Sequence, residues 1–158
     1  MKIGNIEVGK VFLAPMAGIT DTPFRILCRE YGASLAYSEM ISAKAITFAD
    51  KKTFSLMNFE GERAPHVLQL FGHEPEVIAK AVKTVSPYAD IIDINMGCPA
   101  PKITGCGEGS ALMKTPFLAG EIIKAAVSNT ARPVTVKIRK GWETDTALEM
   151  ALVAEKNG

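Results

Sequence analysis

Cys98 is the residue with the most chemistry within reach. It stands between Gly97 and Pro99, directly after an apolar run, Ile91-Ile92-Asp93-Ile94-Asn95-Met96, that carries two polar side chains. Glycine permits a sharp backbone turn and proline fixes the φ angle that follows, so the thiol sits on a stiff loop. An ordinary thiol has a pKa of about 8.5 and is mostly protonated near neutral pH. Held in place it can donate a proton, or attack as a nucleophile if a base deprotonates it. The two histidines bear on that choice. His66 opens a strand at its far end, and His73 follows the same strand at the loop end, with nothing in the sequence pairing it with Cys98. A proton donor is therefore favoured over a nucleophile. Cys106, among glycines, reads as a bystander rather than an accessory thiol. Three cysteines at no zinc spacing argue against a disulfide framework and against a structural metal.

Other polar residues gather at equivalent places. The apolar runs VFLAPM (11–16), LAYSEM (35–40), HVLQLFG (66–72), ADIIDINMG (89–97) and PVTVKIRKG (133–141) alternate with segments of helical period. Toward the ends of four of them come Ser38 and Glu39, Gln69, Asp93 and Asn95, and then Lys137 and Arg139. Strand side chains alternate between faces, so Asp93 and Asn95 share one face, as do Thr135, Lys137 and Arg139. Ile92, Ile94, Val136 and Ile138 then pack toward the helices. Polar groups inside a parallel sheet are costly unless partnered. Their repetition at one end matches a β/α barrel, whose chemistry collects at the C-terminal ends of its strands.

The helices that must position these strands are legible too. One starts at Thr22 with proline at its first position and stops at Gly32. Phe24, Leu27, Cys28 and Tyr31 form its apolar face, where burial alone accounts for Cys28. Ala43 to Phe59 reads as helix and loop. PEVIAKAVKTV (75–85) sets Val77, Ala81 and Val85 beside Ile78 and Val82. A further helix opens at Thr115-Pro116, and the last carries a Thr146-x-x-Glu149 capping box before Asn157-Gly158.

Five strands, each followed by a helix, imply an α/β fold with a parallel sheet and helical crossovers. The architecture is either an open doubly wound sheet or part of a (β/α)8 TIM-type barrel. An open nucleotide-binding sheet needs a phosphate loop directly after its first strand, and VFLAPMAGITDTPF contains no G-x-G-x-x-G. Gly105, Gly107 and Gly109 come well after their strand. The barrel is preferred, and the five strand–helix units read here would form part of it.

Bulk properties set few further limits. The 158 residues, 47% apolar and 22% charged, suffice for one domain with a core. A net charge of +1 neither demands nor excludes nucleic acid. No apolar run has bilayer-spanning length, and MKIGNIEVGKV lacks a signal-peptide core, so the cytoplasm is the expected compartment.

Four blocks together resemble one family. APMAGITDTPFR (14–25), VLQLFG (67–72), DINMGCPAPKITGCGEGSALM (93–113) and PVTVKIRKGW (133–142) are similar, in order and spacing, to the tRNA-dihydrouridine synthases. The resemblance implies an FMN-dependent (β/α)8 barrel that reduces the C5–C6 double bond of selected tRNA uridines, with NADPH reducing the flavin. It implies that Pro15, Met16 and Ala17 lie against the flavin and that Gln69 contacts the ring edge. Lys137 would sit beside the pyrimidine end of the ring, and Asn95 would face the flavin or orient the uracil. Cys98 would be the catalytic proton donor.

The resemblance also implies parts beyond residue 158: three further units, the phosphate site usual near the last strands, and a C-terminal helical tRNA-binding domain. A five-strand piece is expected to leave open sheet edges, to self-associate, to hold FMN poorly and to modify no tRNA alone. Two rivals remain at this point. One is another FMN barrel oxidoreductase, of the dihydropyrimidine or dihydroorotate dehydrogenase type. The other is a non-catalytic fragment that binds RNA or a partner protein through Lys102, Arg139 and Lys140.

Overall fold

In the computed structural model of the protein, residues 1–158 are described, the side chains of Lys51 and Lys52 excepted. The chain opens with a hairpin that the sequence pattern does not foretell: β1 (Lys2–Ile3) and β2 (Ile6–Glu7), antiparallel about Gly4. Two-residue strands are too short to show a period. There follow β3 (Phe12–Leu13), α1 (Thr22–Glu30), β4 (Leu35–Ser42), α2 (Ala43–Thr47), α3 (Lys51–Ser55), β5 (Val67–Phe71) and α4 (Pro75–Val85). The order continues with β6 (Ile91–Met96), α5 (Pro101–Thr104), α6 (Pro116–Val127), β7 (Val134–Ile138) and α7 (Ala147–Lys156).

Strands β3 to β7 form one parallel sheet in chain order. A doubly wound sheet reverses its strand order at a switch point. This one does not reverse, and it curls into a half-barrel of the (β/α)8 type. Leu68, Leu70, Ile92, Ile94 and Met96 face outward and pack against Ile78 and Val82 of α4 and Ile122 and Ala126 of α6. Each fully buried aliphatic side chain of this kind contributes about 1.5–3 kcal/mol relative to exposure. On the inner face, Leu35, Val67 and Ile91 meet Ile3, Ile6 and Val8, so the hairpin plugs the end where the strands begin. The chemistry is left to the other end.

Two local expectations are overturned. Helix α1 begins as expected, with Asp21 accepting from the Phe24 N–H and Pro23 in the first turn. Its buried residues, however, are Arg25 and Arg29; Leu27 and Tyr31 are exposed and Cys28 is half-buried. The reason is Glu62, a buried carboxylate that pairs with both guanidiniums and draws that face inward. The capping box of α7 does not form either. Thr146 makes no side-chain cap, and Asp145 accepts from the Ala147 N–H instead.

Candidate functional site

The polar ends of the strands converge on a cleft of about 220 Å³ at the C-terminal end of the sheet. Pro15 and Ala17, from the loop after β3, form one wall. Met40 of β4, Gln69 of β5 and Asn95 of β6 form the floor. The turn Gly97-Cys98-Pro99 and the pair Lys137 and Arg139 close the other side. Every candidate site residue except Met16 therefore lines one cleft. Met16 belongs to the same loop, but its backbone braces the turn that follows, where the carbonyl accepts from Ile19 N, Thr20 N and the Thr20 hydroxyl. A larger depression, about 620 Å³, lies at the hairpin end beside Arg29 and Arg63, away from this cluster.

The floor is a connected network. The Cys98 N–H donates to Asn95 Oδ1 at 2.9 Å, and the Gly97 N–H donates to the same oxygen at 3.2 Å. Asn95 Nδ2 donates to Gln69 Oε1 at 2.8 Å, and Gln69 Nε2 donates to Asp93 Oδ2 at 2.6 Å. The Thr135 hydroxyl donates to Asp93 Oδ1, also at 2.6 Å. The register makes this possible, because Gln69 pairs with Asp93, Asp93 with Thr135, and Asn95 with Lys137. Burial pushes the Asp93 carboxyl up to about 7, against the hydrogen bonds from Gln69 and Thr135 and the Lys137 charge. Tyr37, also facing inward, is pushed up to about 12 by burial and by the Asp93 charge.

The thiol is held by close backbone approaches. Ser110 N–H donates to the Cys98 carbonyl at 2.9 Å, bringing the glycine-rich segment back over the turn. Gly109 makes this approach possible, with φ +59° and a Cβ position only 2.6 Å from the Cys98 oxygen. Gly109→Ala is thus both strained and short of room, against backbone that cannot rotate away. The expected result is a loss of about 1–3 kcal/mol and a changed rate of Cys98 alkylation. Urea unfolding and timed alkylation check it, and a neutral outcome on both would refute the constraint. Gly97 serves a different end: a Cβ there would lie 3.3 Å from the Lys137 carbonyl oxygen, so glycine lets β6 close on β7. Arg139 Nε then donates to the Gly97 carbonyl at 2.7 Å.

Neither histidine serves Cys98 as a base. His66 stacks on Phe59 and bonds to the Glu62 carbonyl at the opposite end of the sheet, whereas His73 Nδ1 meets Glu108 Oε1 at 3.2 Å. Lys137 is exposed and takes part in no ion pair among the described residues. Cys106 is exposed, with its thiol toward the Lys102 carbonyl.

Sequence reasoning missed Met40. The β4–β5 register shifts between Tyr37 and Met40, and this irregularity turns Met40 toward the cleft where strict alternation would have placed Glu39. Glu39 instead accepts from the Gly18 N–H and ties down the Pro15–Ala17 loop. No single-sequence signal marks such a shift. Among the described residues, no helix is long and apolar enough to cross a membrane, and no group of acidic, His and Cys side chains is placed to hold a metal ion.

Comparison with known proteins shows the family of the chain. Residues 12–158 match the family model described as dihydrouridine synthase (Dus). The whole chain is 44% identical to half of the tRNA-dihydrouridine synthase B of Vibrio parahaemolyticus. Over 92% of its length it is 45% identical to the protein of that name from Xanthomonas axonopodis pv. citri, covering 44% of it. It is also 43% identical to half of a probable tRNA-dihydrouridine synthase of Rickettsia bellii. The chain spans about half the length of the curated relatives it matches. With the family model matched along nearly its whole length, the chain belongs to the dihydrouridine synthase family.

Proposed function

We propose that this chain supplies the N-terminal part, about five of eight units, of the catalytic barrel of a tRNA-dihydrouridine synthase that uses FMN and NADPH to reduce uridine in tRNA. The observation that supports it is the placement of Cys98 and Lys137 on one cleft that the Gln69 and Asn95 amides also line. The residues present fit a flavin. Pro15 and Ala17 offer an apolar wall, the two amides offer polar edges, and Lys137 is a cation without an internal ion-pair partner among the described residues. When bound, the flavin supplies the reducing equivalents for the C5–C6 bond of uracil. The cleft is smaller than the roughly 300–1,000 Å³ usual for such ligands, in keeping with further walls from segments outside these residues.

In this reading Cys98 delivers a proton to one carbon of the uracil C5–C6 bond, the other being the carbon that takes up hydride. The Asn95 and Ser110 contacts fix the backbone on either side of the thiol, so little reorientation is needed at the moment of transfer. Lys137 would help hold the flavin and would supply a fixed positive charge favouring its reduced form. The target base must leave its stack to reach the cleft, as for other enzymes acting on bases. NADPH as reductant, tRNA as partner, and self-association through the open β3 and β7 edges belong to the same reading.

The test is incubation of the completed barrel, this chain joined to the C-terminal half of a relative such as the Vibrio parahaemolyticus protein, with FMN, NADPH and unmodified tRNA, with dihydrouridine measured by mass spectrometry and free uracil and orotate as alternative substrates. Dihydrouridine in tRNA alone supports the reading. Turnover of a free pyrimidine, or a tRNA shift from protein that never takes up flavin, refutes it. Lys137→Ala is expected to weaken flavin retention or slow flavin reduction by about tenfold, less than a fully buried donor because water screens an exposed ammonium. Flavin absorbance and stopped-flow reduction check this, and unchanged values would leave Lys137 a structural role only.

A further inference from the structure

The donors under the cleft all point one way. The N–H groups of Gly97 and Cys98 give to Asn95, Asn95 gives to Gln69, and Gln69 gives to Asp93. Thr135 gives to Asp93 from the opposite side. Such a chain needs a terminal group that only accepts, and among neutral and charged side chains the carboxylate is that group. Asp93 is 1% exposed and stands two residues before Asn95 on the same strand face. It does not line the cleft and touches no reacting group.

We propose that Asp93 is a positioning residue for Cys98: its buried carboxyl fixes which way the Gln69 and Asn95 amides face, and through them holds the turn that presents the thiol. An amide side chain reversed end for end offers a donor where an acceptor is needed. If Gln69 reversed, its Nε2 would face Asn95 Nδ2, and Asn95 could relieve that clash only by turning a donor toward the N–H groups of Gly97 and Cys98. The Asp93 oxygen facing Gln69 makes that reversal unfavourable. The arrangement also survives protonation of Asp93, since a proton on Oδ1 can be shared with Thr135 while Oδ2 still accepts from Gln69. Tyr37 and Lys137, the other groups that act on this carboxyl, lie outside the chain of amides.

The catalytic consequence rests on the proposed proton-donor role of Cys98, but the positioning itself is measurable without flavin or tRNA. Asp93→Asn keeps an acceptor for Gln69 and can turn its own amide nitrogen to Thr135. Asp93→Leu fills the space and offers no acceptor. Amide hydrogen exchange by NMR is the readout. In the Asn variant, Gly97 and Cys98 should exchange within about threefold of the native rate. In the Leu variant they should exchange at least tenfold faster, while the β6 ladder amides Ile92 and Ile94 stay protected. Unchanged protection of Gly97 and Cys98 in the Leu variant overturns the proposal, as does equal loss in the Asn variant.

Should the Leu variant not fold, Gln69→Met breaks the chain one step later and must give the same selective loss. Unaltered exchange there refutes the proposal by itself. Where dihydrouridine formation is measurable, Asp93→Leu should lower kcat at least tenfold with KM for tRNA little changed, and Asp93→Asn should retain most of it. A native chain that shows the exchange pattern, but whose barrel completed with a relative's C-terminal half takes up flavin and forms no dihydrouridine, would sink the functional reading and leave the positioning role standing.

Discussion

Cys98→Ala, in the barrel completed with a relative's C-terminal half, is expected to lower dihydrouridine formation by about 10²–10⁴-fold, the usual contribution of a positioned general acid, while flavin uptake stays at the native level. Of the other side chains at the cleft, Arg139 is committed to the Gly97 carbonyl and does not release protons near neutral pH, and Lys137 serves in this reading as the cation beside the flavin; both histidines are bonded elsewhere. Cys98→Ser separates acidity from shape, because the hydroxyl fills nearly the same space but is a far weaker acid. Serine should therefore behave like alanine. The measurement is single-turnover reduction of unmodified tRNA by pre-reduced protein, which isolates the base-reduction step from NADPH oxidation. Native rates in the serine variant would leave the thiol no part as an acid and make Cys98 a packing residue.

Replacing Glu62 is expected to be the most destabilising single change in the chain. Its carboxylate accepts from Arg25 Nε at 2.8 Å and lies 3.2 Å from Arg29 Nε, and none of the three side chains is more than 3% exposed. The second contact is an ion pair without the alignment of a hydrogen bond. Burial pulls the Arg29 guanidinium below its usual range, and Glu62 opposes that pull. Glu62→Gln leaves two buried cations without their counter-charge. The expected loss is about 3–5 kcal/mol, a large share of the roughly 5–15 kcal/mol that holds a domain folded. Urea midpoints at constant slope check it. A loss under about 1 kcal/mol would mean the cluster contributes nothing as a charge pair.

The cluster also bears on the site. Arg25 donates to the Thr20 carbonyl at 2.7 Å, and the Thr20 hydroxyl is bonded to the backbone of Met16. Glu62, at the hairpin end of the sheet, therefore steadies the loop that carries Pro15 and Ala17. In the Glu62→Gln variant, flavin retention should fall along with stability.

How much of this was legible in the sequence differs from residue to residue. The alternation of strands and helices and the apolar face of α4 follow from local pattern, because burying one stripe of a helix and alternate residues of a strand leaves a period in the chain. Gln69, Asn95, Cys98 and Lys137 could be named because each is a polar residue at the end of an apolar run, where only a partner or a function offsets its desolvation. The face of α1 could not be read. An Arg25–Arg29 stripe looks solvated until a carboxylate from a distant loop folds onto it.

Met40 was hidden for a different reason. A shift of register changes which side chains face inward without changing their identity. The direction of the amide chain from Cys98 to Asp93 likewise depends on β5, β6 and β7 lying in one particular register. Residue types and spacing along the chain thus determined the α/β order, the cysteine turn and the candidate polar groups. The tertiary fold alone decided which of them touch, because hydrogen bonds and ion pairs act over about 3–4 Å in space whatever the distance along the chain.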